Sequence, residues 1–440
     1  MFRRCELAPS APCPAIPFAS GVLTSARHHR FVPRVLLLMP SATYRAPDFL
    51  EAARALDVEV VVGCEEPQVL SGLMGTRALR LPLDDPDAAA KAIVEHDSLT
   101  PLDAIVAVDD QGAVAAAAAS ERLGLHHNPP RAVAATRDKL AMRALLAQHE
   151  VPQPTYGTIP AGARPAEVAL AVKTVGLPCV VKPTTLSASQ GVLRADSLEG
   201  AAAVAQRVRR IAIGAGVDPE APLLVERFVP GQEVALEGLL DDGALDVLAV
   251  FDKPDPLDGP AFEETIYVTP SRLTHRDIEA VVDATRKATR ALGLREGPVH
   301  AELRLRDARA WVIEVAARTI GGLCSRALAF STGRTLEQLV LAHAIGSPMG
   351  PLQREDRASG VLMLPIPRAG TLLGVEGVSR ALAVPGVSDV QITIAPGREV
   401  VPVPEGNRYL GFVFARAKRP ADAETALRRA LSLLEVRIEG

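Results

Sequence analysis

Aromatic residues are scarce: phenylalanine, tryptophan and tyrosine together make up 3% of the 440 residues, with one tryptophan. A sheet that stacks bases needs a row of such rings, so a base-stacking nucleic-acid platform is disfavoured. An excess of either charge is lacking as well. The formal net charge is -4, from 48 basic and 52 acidic side chains, which leaves no electrostatic footprint for nucleic acid or an anionic membrane. Small-molecule ligands are expected instead. The five cysteines (Cys5, Cys13, Cys64, Cys179 and Cys324) are dispersed and odd in number, and no pair has zinc-knuckle spacing. No disulfide framework is expected, and a reducing, cytoplasmic location fits best. Apolar runs are short and interrupted, well under the roughly 20 residues of a membrane span. Residues 1–33 carry arginines near the start and then prolines where a signal peptide needs a continuous apolar stretch. They are expected to be a disordered extension or an over-long start.

The rest reads as a globular protein, 48% hydrophobic and 23% charged, too long for one core and divided into several packed units. Order begins at Arg34. Short apolar strands at 35–39, 58–63, 78–83 and 103–108 alternate with helical stretches at 47–56, 86–97 and 111–123, predicting parallel βαβ units in an N-terminal α/β domain over 34–135. No GxGxxG follows the first strand, so the dinucleotide fingerprint is missing. A second unit over 136–210 opens on the helix "TRDKLAMRALLAQHEV", with Asp138 as its cap. A β-rich unit spans 211–350, with strands at 223–228, 232–240, 244–252, 262–269, 298–305 and 309–316 and a long helix at 274–292. A small α+β tail occupies 351–440.

The hairpin "PVHAELRLRDARAWVIEVAAR" (298–318) turns near Asp307–Ala308. Pairing about that centre puts Glu302 almost opposite Glu314, both on one face, with Val299, Ala301, Leu303 and Leu305 on the other. Two facing acids repel unless a proton or a cation intervenes, and paired hard oxygens suit magnesium. A solvated face neutralised by Arg304 and Arg318 is the alternative. Arg318 follows in the same alternation, where a guanidinium could grip a carboxylate or a developing oxyanion, or simply pair with Glu314.

Lys182 ends the apolar strand of "LPCVVKPTTLSASQGV", where a buried ammonium is costly unless it meets an anion. The loop 184–191 follows, and its Ser187 and Ser189 could donate to phosphate oxygens. It is not a Walker A sequence. Lys139 in "RDKLAMR" reads, alone, as a solvated helix lysine. In "LLVERFVPGQEVALEG", Glu226 closes one strand and Glu233 opens the next. The backbone around Phe228–Val229 could pair with a purine edge, and Glu233 could accept from ribose hydroxyls; an ordinary acidic hairpin is the alternative.

In this order, a helix lysine, a strand-end lysine with its loop, an ExxxxGxE hairpin and a final hairpin with two glutamates resemble the ATP-grasp superfamily over 34–350. The tail is similar to the small closing domain of related ligases. "FEETIYVTPSRL" (262–273) and "VHAELRL" bring the resemblance closest to L-amino-acid ligases and other carboxylate–amine ligases. The resemblance implies ATP and Mg2+ (or Mn2+) as cofactors, with Lys139 and Lys182 on the α- and β-phosphates and the 184–191 loop covering them. It implies Glu226 at the adenine amino group, the Val229 backbone at the adenine edge, Glu233 at the ribose, Glu302 and Glu314 on the metal, and Arg318 stabilising an acyl-phosphate. Tyr267 and Arg272 are candidate substrate contacts; Cys324 is read as a packed, inert thiol, with a place beside Ser325 in the acceptor pocket as the alternative; the oligomeric state is left open, with a homodimer suggested by related ligases. Biotin carboxylase-like and phosphoribosylglycinamide synthetase-like activities are the alternatives, as is an impaired ATP-binding module. One departure is Ala316, which stands where the family pattern ExN has its asparagine, removing an amide ligand from a second metal.

Overall fold

A computed structural model describes residues 32–41, 43–66 and 75–440. The expected N-terminal extension therefore lies, but for its last two residues, outside the described residues. The first sheet is parallel, in the order β3-β2-β1-β4, from β1 (Arg34–Leu38), β2 (Glu59–Cys64), β3 (Ala78–Arg80) and β4 (Ala104–Ala107). Strands buried on both faces explain the unbroken apolar runs. Leu36 and Leu38 pack on α2 (Pro86–Leu99) and α3 (Asp110–Leu123), while Val35 and Leu37 face α1 (Ala46–Ala55). Asp109 and Asp110 stand just beyond the C-terminal end of β4, the edge where open α/β sheets place ligands.

Two short helices follow, α4 (Pro130–Arg137) and α5 (Lys139–Gln148). A four-stranded antiparallel sheet comes next, in the order β5-β8-β6-β7, from β5 (Tyr156–Ile159), β6 (Cys179–Pro183), β7 (Leu193–Ala195) and β8 (Leu223–Arg227). Val181 and Val225 pack under α6 (Pro165–Val175) and α7 (Leu198–Gly214). Alternation turns Val180, Lys182 and Glu226 to the opposite face. β8 comes from the stretch that the sequence groups with the β-rich unit, yet it pairs with β5 and β6.

The third sheet has eight strands, β13-β12-β9-β10-β11-β14-β18-β16. Its first part comprises β9 (Gln232–Asp241), β10 (Ala244–Asp252), β11 (Ile266–Thr269), β12 (Gly297–Arg306) and β13 (Arg309–Ala316). Helix α8 (His275–Leu292) lays Val281, Ala284, Ala288 and Leu292 against Val299, Ala301 and Leu303. β11 starts four residues later than its apolar pattern suggests, because Phe262 and Glu264 turn into a cavity instead of pairing. After α9 (Leu336–Ala344), strands β14 (Ala358–Leu364), β16 (Val387–Ile392) and β18 (Gly411–Ala417) extend this same sheet. The tail is thus continuous with the central sheet. Its β15 (Gly370–Glu376), β17 (Glu399–Val400) and β19 (Glu435–Glu439) form a small separate sheet, with α10 (Val378–Leu382) and α11 (Pro420–Leu431) alongside.

The β12–β13 hairpin is decisive for the site. Arg306 pairs with Arg309 and Leu303 with Val312, a register that would set Glu302 opposite Ile313. A bulge between Glu302 and Leu303 shifts it by one, so Glu302 pairs with Glu314. The turn residues Asp307 and Ala308 both have left-handed φ, 53° and 56°, as a two-residue hairpin requires.

Two substitutions test this local geometry by urea unfolding. Ala308→Gly should raise stability by about 1 kcal/mol, because alanine is strained in that region. Gly231→Ala should lower it by at least about 2 kcal/mol, since Gly231 has φ +122° and an added Cβ would strike the Leu305 carbonyl oxygen.

Candidate functional site

The site starts at a helix cap. The Asp138 side chain accepts from the amides of Leu140 (2.8 Å) and Ala141 (3.2 Å), fixing Lys139 as the first residue of α5. Buried there, Lys139 donates from Nζ to the Leu186 carbonyl at 2.5 Å and lies 3.4 Å from Glu314. One turn on, the fully buried Arg143 donates from Nε to Glu226 and from Nη2 to the Ile313 carbonyl, each at 2.6 Å. Ile313 is the bulged residue, so Arg143 satisfies the carbonyl that the bulge takes out of the ladder. Lys182 reaches the other oxygen of Glu226 at 2.7 Å.

Three cations thus meet two carboxylates. Burial disfavours an ionised Glu226, but Arg143 and then Lys182 hold its carboxyl down at about 2. Burial lowers the pKa of Lys182, and Arg143 and Lys139 press in the same direction against Glu226. A patch with surplus buried positive charge is relieved by an anion. Each Glu226 oxygen is engaged by one cation, Arg143 on one and Lys182 on the other, so that Glu226 orients Lys182 at the cavity wall.

Across the cleft, Glu233, Glu264 and Glu302 converge, with carboxylate oxygens within 4.8 Å of one another. The buried ammonium of Lys253 sits among them at 2.8, 2.6 and 3.4 Å. Arg304 Nε donates to Glu233 at 2.8 Å, and its Nη1 to the Val229 carbonyl at 3.0 Å. Among the described residues no hydrogen bond uses the Val229 amide. Tyr267 donates to Glu264 at 2.5 Å. Burial and the neighbouring Glu302 push the Glu264 carboxyl up, with Lys253 opposing. Burial also opposes charge on Glu302, but Lys253 and His300 hold its carboxyl well below the usual range. His300 lies 3.1 Å from Glu237 and 3.4 Å from Glu302.

A metal fits the Glu302–Glu314 pair. Both side chains line the cavity and are partly open, at 21% and 27% exposure. Their countercharges stand off at 3.4 Å, and two carboxylates on adjacent strands form a hard donor set suited to Mg2+ or Mn2+. Ala316 lines the same cavity and offers no side-chain ligand.

Arg318 turns from Glu314 to the first sheet. Its Nε lies 3.0 Å from Asp110, which also meets Arg137 at 3.1 Å. Burial raises the Asp110 carboxyl, yet Arg318 and Arg137 bring it to about 2. Behind them the buried Arg45 donates to the Val108 carbonyl at 2.7 Å and to Thr319. The loop 184–191 is held by the tail, with Gln190 Nε2 on the Glu405 carbonyl and the Gly191 amide on the Pro404 carbonyl, both at 2.9 Å.

One cavity of about 650 Å³ is lined by Lys139, Lys182, Ser187, Ser189, Glu226, Val229, Glu233, Tyr267, Glu302, Glu314 and Arg318. Arg272, the other candidate, lies elsewhere: it pairs with Asp252 at 2.7 Å and with Glu424 of α11 at 2.8 Å. Cys324 is buried against Met363, and burial pushes its thiol pKa up, so it stays neutral. Sequence reasoning passed over Arg143, Lys253 and Asp110. Arg143 is four residues after Lys139 on one helix face. Lys253–Pro254 repeats the strand-end pattern of Lys182–Pro183, which was the available signal.

Three family models match: an ATP-grasp N-terminal domain at residues 50–127, an ATP-grasp domain at 175–327, and L-amino acid ligase C-terminal domain 2 at 362–439. The chain is 30% identical over 252 residues to alanine–anticapsin ligase of Bacillus subtilis, covering 53% of this chain and 52% of that protein. The match therefore spans about half of that ligase. It is 30% identical over 363 residues to formate-dependent phosphoribosylglycinamide formyltransferase of Burkholderia cenocepacia, covering 80% and 84%. The crystal structure of L-amino acid ligase from Bacillus licheniformis superposes with a TM-score of 0.76 at 24% identity, covering 93% of this chain and 99% of that one, a likeness of fold.

The depressed carboxyls set an acid limit. Glu226 falls from 4.5 to about 2 and Asp110 from 3.8 to about 2, so their contribution is present above the ordinary carboxyl range and lost as pH falls toward 2. Glu226→Gln should flatten the decline of unfolding free energy from pH 4.5 downward and cost about 3 kcal/mol at pH 7. A variant that keeps the wild-type acid slope in urea titrations would remove Glu226 from this role.

Proposed function

The chain belongs to the ATP-grasp superfamily, and on that footing we propose that it is an ATP-dependent carboxylate–amine ligase. It forms an amide or peptide bond through an acyl-phosphate and releases ADP and phosphate. The observation that carries this reading is that Lys139 and Lys182, the latter held by Glu226, line one cavity with the Glu302–Glu314 pair. Similarity to an alanine–anticapsin ligase, and a tail matching an L-amino acid ligase domain, support it.

Lys139 and Lys182 bind the triphosphate, and ligand charge relieves their mutual repulsion. Ser187 and Ser189 donate to phosphate oxygens from the loop above. The Val229 amide meets the adenine edge, and Glu233, with one hydrogen bond on each oxygen, keeps lone pairs for ribose hydroxyls. Glu302 and Glu314 would hold Mg2+, which supplies neutralising charge to the phosphate oxygens.

A carboxylate oxygen of the first substrate attacks the γ-phosphorus, and the bond to the β-bridging oxygen breaks to leave ADP. Lys182 stabilises the charge that shifts to ADP, and Arg318, locked by Asp110, faces the acyl-phosphate. The amine attacks the acyl carbon, and phosphate departs with the former carboxylate oxygen. The amine arrives as an ammonium and must lose a proton. Glu264, a partly exposed carboxylate of the cavity whose pKa burial raises, receives it. The 184–191 loop, tied to the tail at Pro404 and Glu405, keeps water from the intermediate. A phosphoribosyl amine as acceptor is a second reading, favoured by the formyltransferase relative.

Phosphate release over pairs of amino acids, with mass analysis of products, tests both. Release is expected with a carboxylate and an amine together; release with formate and a phosphoribosyl amine alone would favour the second reading. Glu314→Ala should lower turnover by at least about a hundredfold, whereas Lys139→Ala should chiefly raise KM for ATP, by about tenfold. Normal turnover of the Glu314 variant would refute the metal assignment.

A further inference from the structure

We propose that His126, Glu296 and His343 form a second metal site, outside the catalytic cavity, for a divalent transition ion of the zinc class. The three residues come from separate segments: the loop after α3, the turn before β12 and the last turn of α9. Their ligand atoms lie within 4.8 Å of one another. His126 Nε2 is 2.8 Å from Glu296 Oε2, and His343 Nε2 is 3.8 Å from the same oxygen. These distances bracket the roughly 3.3 Å between ligands of a tetrahedral ion with bonds near 2.0 Å.

His343 is the observation that calls for an ion. It is 7% exposed, and its Nε2 has no hydrogen-bond partner among the described residues. Nε2 is directed toward Glu296 Oε2, 3.8 Å away, beside the His126 ring at a centroid separation of 4.9 Å. A buried imidazole nitrogen that makes no hydrogen bond is a ready metal ligand.

The surroundings are already set. Asn128 Nδ2 donates to the Glu296 carbonyl at 2.6 Å, and Asn128 Oδ1 accepts from the amides of Arg295 (2.7 Å) and Glu296 (2.9 Å). Glu296 Oε2 also takes a long contact from the Asp242 amide, 3.4 Å. Two imidazoles and one carboxylate select zinc-class ions over magnesium and calcium. The exposed side of His126, at 42%, leaves the fourth position to water. None of the three lines the catalytic cavity, so the ion would staple the first sheet's last helix to the central sheet.

The test uses the full chain without an affinity tag, equilibrated with Zn2+, dialysed and analysed for metal, alongside thermal unfolding. One Zn2+ per chain is expected in the wild type and in Glu314→Ala, with a zinc-dependent rise in Tm of a few degrees. His126→Ala, at an exposed position, and His343→Gln should each lose the ion and the Tm rise. Co2+ should give visible absorption in the wild type that is absent from both histidine variants. Equal zinc content in the wild type and both histidine variants, or no retained zinc in a folded wild type, would overturn the site.

Discussion

One buried guanidinium ties the two walls of the cleft together. Arg143 reaches Glu226 on the four-stranded sheet and the bulged carbonyl of Ile313 on the eight-stranded sheet. A charge with no solvent exposure is tolerable only when its partners are in place. Both partners set the geometry of something else. Glu226 aims Lys182, and the bulge at Ile313 brings Glu314 into register with Glu302. The spacing between Lys182 and the carboxylate pair follows from this bridge.

The other parts of the chain add their own groups to the same cavity. The N-terminal domain contributes Asp110, the first residue of α3, whose carboxylate locks Arg318 in place, and Arg45 braces the strand end beneath it. The tail contributes the carbonyls of Pro404 and Glu405, which hold the loop over the lysines. Both carbonyls lie in the connection between β17 and β18, and β18 continues the central sheet. Lys253 compensates three acids at once and leaves Glu302 ionised and facing the cavity.

Much of this was legible in the sequence, for identifiable reasons. A lysine ending an apolar strand, as Lys182 does, declares its need for an anion, and two glutamates on facing hairpin strands declare theirs for a cation. The parallel first sheet followed from short apolar strands alternating with helices. The bulge was not legible, because the hairpin's alternation reads equally well without it and only the Arg143–Ile313 bond shows why it is there. Arg143 itself looks like any polar residue of an amphipathic helix until its partners, far along the chain, are known. Arg272 misled for the same reason: its partner Glu424 lies 152 residues away. Sheet membership of β8 and of the tail strands likewise depends on pairings that local pattern does not encode.

The most direct measurement follows the oxygen that the chemistry must move. With 18O in the carboxylate of the activated substrate, single-turnover product should carry one labelled oxygen in inorganic phosphate, because the attacking oxygen leaves with the phosphoryl group. Unlabelled phosphate, or label found in AMP, would contradict an acyl-phosphate route.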